Sequence, residues 1–93
     1  MEVTDIKIVP VSKDDLRAYV IITVDHCLVI RDLKVIRGPN GYFVGMPYRK
    51  QADGSFFEIV STITGEARKM LEERILGDYE KVSGERVKRR VLK

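Results

Sequence analysis

The chain has 93 residues, 44% hydrophobic and 33% charged, a balance that fits one small globular domain and excludes both a two-domain protein and a disordered polypeptide. The net charge of +3 is too small to name a partner class, and a single cysteine, Cys27, excludes an intrachain disulfide framework. A chain this short buries only a little over roughly 60% of its unfolded surface, so a second subunit that adds burial is expected.

The opening MEVTDIKIVP has neither the basic n-region nor the long apolar h-region of a secretion signal, and no later stretch has the length of a membrane span. With the lone cysteine, this predicts a cytoplasmic protein without a membrane partner. Val3 to Val9 alternates as a strand, and the polar cluster Ser12-Lys13-Asp14-Asp15 predicts a turn. Leu16 to Val24 and Leu28 to Ile36 are rich in β-branched residues, with charges at alternate places in the latter. They read as neighbouring antiparallel strands with one wet face. His26 and Cys27 fall between them, and serve a strand end or turn.

Arg37-Gly38-Pro39-Asn40-Gly41 predicts a hairpin in which Pro39 presets φ and Gly41 takes a positive φ. Tyr42 to Met46 is the returning strand, and Pro47, which cannot donate to a ladder, ends it. Asp53-Gly54 is a second turn, and Phe56 to Val60 is a fifth short strand. From Thr64, an N-cap, the period changes to about 3.6. Ala67, Met70, Leu71, Ile75, Leu76, Tyr79 and Val82 then form one apolar stripe, with Arg68 and Lys69 paired to Glu72 and Glu73 on a solvated face. The fold class expected is α+β: a small antiparallel sheet of about five strands followed by a C-terminal amphipathic helix, in a dimer. Gly84 is expected to end the ordered domain, 1–84, leaving 85–93 as a basic tail.

Charge concentrates in two places. Residues 31–50 carry five basic side chains and one acidic, and residues 83–93 again five and one, inside an otherwise slightly acidic chain. Such clusters point to a polyanion. Other chemistries find no footing. One histidine and one cysteine fall short of a zinc site, and Gly38-Pro39-Asn40-Gly41 is too short for a phosphate loop. The sequence is read as a non-enzyme with no cofactor and no small-molecule substrate. Gly41-Tyr42-Phe43-Val44 lacks the basic residue and small spacer of an RNA-recognition motif, and the strand spacing does not fit an OB-fold.

Asp25-His26, the strand Val29-Ile30-x-Asp32-Leu33-Lys34-Val35-Ile36, Gly38, Asn40-Gly41, Phe43-Val44-x-Met46-Pro47, Lys50, Asp53-Gly54-x-Phe56 and Ile59 together resemble the SpoVG family, over residues 1 to 82. Met1-Glu2-Val3-Thr4-Asp5 is similar to that family's start. Ser61-Thr62 stands where the family has His-Pro. The resemblance, to a family named for a stage V sporulation protein, implies a small bacterial regulator that binds DNA and, in some members, RNA. It also implies a homodimer of antiparallel sheets with a C-terminal helix, and a basic loop after Met-Pro that touches nucleic acid.

On that footing Tyr48, Arg49 and Lys50 are the expected nucleic-acid-binding residues, standing clear of the sheet once Pro47 ends pairing. Arg86, Lys88, Arg89 and Arg90 are added from the tail's own charge and not from the resemblance. The alternative is a dimeric protein-interaction adaptor that receives an acidic segment of a partner on the same basic patches.

Overall fold

A computed structural model describes residues 2–91; Met1 of the opening motif and Leu92 and Lys93 of the tail lie outside the described residues. Four strands run as an antiparallel meander in the order β1-β2-β3-β4: β1 (Val3–Lys13), β2 (Leu16–Val24), β3 (Leu28–Gly38) and β4 (Gly41–Gly45). A separate two-stranded ribbon, β5 (Tyr48–Lys50) with β6 (Phe56–Glu58), follows, and α1 (Gly65–Ser83) ends the regular structure. The fold is α+β, as the pattern of residues predicts. The expected five strands become six, because the segment after Pro47 itself pairs.

The turns follow local chemistry. Asp14 has φ 55°, and Asp25 and His26 have φ 50° and 55°, positive values that Asp, Asn and His tolerate best among non-glycine residues. His26 and Cys27 therefore serve the β2–β3 turn, where Cys27 N–H donates to Val24 O at 3.0 Å. Gly38 pairs with Gly41 across Pro39-Asn40 to close the β3–β4 hairpin.

One face of the meander is covered by α1. Val3, Ala18, Val20, Ile22, Val24, Leu33, Val35, Val44 and Met46 meet Leu71, Ile75, Leu76 and Tyr79 there. Ile30 and Leu33 both serve this core although they are three apart, because the β2–β3 register slips between Val20 and Ile22. Asp32, at φ 71°, takes up the extra residue as a bulge.

The helix begins where expected. Thr64 adopts an extended conformation and its Oγ1 accepts from Ala67 N–H at 3.1 Å, with Glu66 in the first turn. Gly84 ends it in the left-handed region at φ 76°, its N–H donating to Glu80 O at 2.9 Å. The apolar stripe is narrower than predicted: Met70 and Val82 are exposed, whereas Glu72, placed by sequence on a solvated face, is only 4% exposed.

Order does not end at Gly84. Val87 is buried against the core, and the segment runs beside β4: Tyr42 N–H donates to Lys88 O at 2.6 Å and Arg90 N–H to Tyr42 O at 3.0 Å. Gly41, at φ 126°, makes this approach possible, since a Cβ there would stand 2.7 Å from Arg90 N. The other residue of β4 whose backbone faces the sheet edge is capped by side chains, with Val44 N–H donating to Glu72 Oε2 at 3.3 Å and Arg68 Nη2 donating to Val44 O at 2.9 Å. The β4 edge of the sheet is thus covered, a common protection against edge-to-edge pairing. Among the described residues no helix is long and apolar enough to cross a membrane.

Candidate nucleic-acid interface

Met46 turns into the core, and Pro47 carries the chain out of the sheet. Pro47 has no N–H to give, but its carbonyl accepts from Ile59 N–H at 2.9 Å and so ties off the base of the β5–β6 ribbon. At the far end Gln51 N–H donates to Ser55 O at 2.7 Å, and Gly54 takes φ 91°. Asp53 Oδ1 accepts from Ser55 Oγ at 2.6 Å and from Ser55 N–H at 2.9 Å. These bonds, the side-chain one foremost, hold the Asp53 carboxyl below the usual carboxylate range. Tyr48, Arg49 and Lys50 therefore form a paired strand rather than a free loop, because the Asp53-Gly54 turn folds β6 back along them.

Pairing sets where each side chain points. Tyr48 opposes Glu58, Arg49 opposes Phe57 and Lys50 opposes Phe56. Opposed residues share a face and successive residues alternate, so Lys50, Tyr48, Phe56 and Glu58 occupy one face of the ribbon while Arg49 and Phe57 occupy the other. All of β5 and β6 is exposed, and neither Arg49 nor Lys50 has a salt-bridge partner among the described residues. The Tyr48 and Phe56 rings meet edge to face at 5.2 Å.

Two further residues belong with this group. Lys34 Nζ lies 5.0 Å from the Tyr48 ring centroid and 6.0 Å from that of Tyr19, within cation–π range. Lys34 and Tyr19 are register partners on β3 and β2. The available signal for them was their alternation with buried Leu33, Val35, Ala18 and Val20.

The tail cations separate into two kinds. Arg86 and Lys88 are exposed on either side of inward Val87 and have no salt-bridge partner among the described residues. Arg89 and Arg90 are held by helix carboxylates. Arg89 Nη2 donates to Glu80 Oε1 at 3.1 Å, and Arg89 Nε lies 3.8 Å from Glu73 Oε2. Arg90 Nη2 donates to Glu72 Oε2 at 2.8 Å while its guanidinium lies over Phe43 at 4.6 Å. The bond from Arg89 and a second from Val87 N–H at 2.8 Å keep the Glu80 carboxyl below its ordinary range. Among the described residues no group of three His, Cys, Asp or Glu could hold a metal ion.

A meander backed by one helix, with a short basic and aromatic ribbon projecting from it, defines a small α+β domain with an exposed cationic surface. A family model described as SpoVG matches residues 1–81, and the chain belongs to the SpoVG family. It is 51% identical over 81 residues to a septation protein SpoVG of Bdellovibrio bacteriovorus, a match that covers 87% of this chain and 75% of that one. A protein of the same name from Myxococcus xanthus is 47% identical over 81 residues, covering 87% and 82% of the two chains. One from Clostridium kluyveri is 40% identical over 86 residues, covering 91% and 90%.

Proposed function

We propose that this protein is a nucleic-acid-binding regulator that works as a cytoplasmic homodimer and engages DNA or RNA through the β5–β6 ribbon. The observation that carries this reading is the pair Arg49 and Lys50, exposed and without carboxylate partners among the described residues, on a ribbon that also presents aromatic rings. Uncompensated cations release counterions from a phosphate backbone, and this release supplies most non-specific affinity. Arg86 and Lys88 supply a second exposed pair; Arg89 and Arg90 are occupied by helix carboxylates and contribute less. Apolar side chains left exposed, including Leu28, Phe57, Ile59 and Ile63, support a second subunit that covers part of them.

The test is a salt titration of wild type and the Arg49→Ala/Lys50→Ala variant on one duplex and one single strand. The double variant is expected to lose about two units from the slope of log affinity against log salt, with a melting temperature close to wild type because exposed side chains change stability by about 0.5 kcal/mol or less. An unchanged slope and affinity removes the ribbon from the interface. Displacement by an acidic polypeptide but not by nucleic acid favours the adaptor.

A further inference from the structure

On the sheet face opposite α1, Tyr19 stands between buried Ala18 and Val20, and Lys34 between buried Leu33 and Val35. The two are register partners. The ribbon extends this face, with the Lys34 ammonium reaching both Tyr19 and Tyr48, and Tyr48 in turn meeting Phe56. Three partly exposed rings and a cation thus form one row. Tyr19 is 39% exposed, Tyr48 51% and Phe56 60%, and Lys50 opposes Phe56 at the row's end. Lys34 and Lys50 lack salt-bridge partners among the described residues. The one carboxylate on this face of the ribbon is Glu58, opposite Tyr48.

We infer that this row is a stacking platform for single-stranded nucleic acid, with bases lying on Tyr19, Tyr48 and Phe56 and phosphates held by Lys34 and Lys50. The inference rests on the nucleic-acid reading and narrows its ligand. An exposed ring face gives nothing to a duplex, whose bases are stacked on each other, but takes an unpaired base in any sequence. Cations set between and beside the rings match the alternation of base and phosphate along one strand. Glu58 excludes phosphate from the base of the ribbon face, beside Tyr48, and leaves the two lysines as the anchors.

The protein has four tyrosines and no tryptophan, so its own fluorescence reports on the platform. The probes are a twelve-nucleotide thymidine strand and a duplex of equal length at one salt concentration. The thymidine strand is expected to quench tyrosine emission and to bind at least tenfold more tightly than the duplex. Tyr19→Leu and Phe56→Leu keep apolar bulk and remove the ring, so melting temperature should hold. Each should weaken strand binding by roughly five- to a hundredfold, leave duplex binding alone and leave the salt slope unchanged because no charge is lost.

Equal affinity for strand and duplex, or leucine variants that bind the strand like wild type, overturns the platform while leaving a polyanion site intact. Leucine variants that dissociate a dimer without changing strand affinity also overturn it, and assign the rings to the subunit interface. Failure of wild type to bind either nucleic acid removes the nucleic-acid reading and the platform together.

Discussion

Arg90 Nη2 lies 2.8 Å from Glu72 Oε2, and so joins the last described stretch of chain to the middle of the helix across eighteen residues. Glu72 is buried, and its Oε2 also accepts from Arg68 Nε at 3.1 Å and from Val44 N–H at 3.3 Å. A carboxylate out of water is tolerated only when its hydrogen-bonding capacity is met. Arg90→Ala removes one of three partners and should destabilise the fold by about 1–3 kcal/mol. Arg68→Ala should cost more, because it also strips the partner from the Val44 carbonyl. Urea unfolding of both variants checks the order, and a wild-type midpoint for Arg90→Ala would show that the contact contributes nothing.

Truncation after Gly84 removes more than the Arg90 contact. It uncovers the Tyr42 edge of β4 and takes away buried Val87. At roughly 4–8 °C per kcal/mol for a domain of this size, the shortened chain should melt at least about 8 °C lower. The bare edge should also raise self-association at high concentration. Calorimetry and light scattering read the two effects separately. An unchanged melting temperature would return 85–93 to the status of a free tail.

Glu80 gives tail docking a pH dependence. The hydrogen bond from Arg89 and the one from Val87 N–H hold its carboxyl below the ordinary glutamate range, against a smaller opposing effect of burial; the charges of Arg89 and Arg86 add to the lowering. A depressed folded-state value means that the contribution is complete above the ordinary range and is lost as pH falls through the lowered one. The Val87 amide resonance should therefore shift in acid, below the pH at which a free glutamate titrates. Glu80→Gln should flatten that shift, whereas a full shift in the variant would assign the pH response to another group.

Much of the architecture is legible in local chemistry. The alternation of β2, the extent of β3, the Pro39-Asn40 turn and the Thr64 cap each depend on residues within a few positions of one another, and each is found where it is expected. The tail is not legible in this way, because Arg89 and Arg90 take their side-chain partners from α1 nine and eighteen residues earlier, and the backbone of Lys88 and Arg90 is paired with Tyr42. A run of cations reads as solvated until the carboxylates that meet it are known. The ribbon is half legible: Pro47 and Asp53-Gly54 mark its ends, but the alternation that sends Arg49 and Lys50 to opposite faces appears only once Tyr48–Lys50 is paired. Lys34 escapes notice because its face depends on a bulge, and Tyr19, although β2 alternates around it, is joined to the ribbon only through Lys34.

That bulge yields the last prediction. Strict alternation from Ile30 would put Asp32 and Lys34 on the core face with it; the slip at Asp32 instead brings Leu33 and Val35 inward and sends Lys34 outward to Tyr19. Asp32 holds φ 71° with its side chain exposed, a conformation that glycine adopts freely and a β-branched residue resists. Asp32→Gly should therefore match or slightly exceed wild-type stability. Asp32→Val should cost about 1–2 kcal/mol, the usual penalty of the left-handed region for an L-residue. The valine variant should also loosen the register that sets Lys34 against Tyr19, so contacts between their side chains in a nuclear Overhauser spectrum should weaken in Asp32→Val and persist in Asp32→Gly. If valine is accepted at no cost with those contacts intact, the positive φ at Asp32 does not determine which face Lys34 occupies.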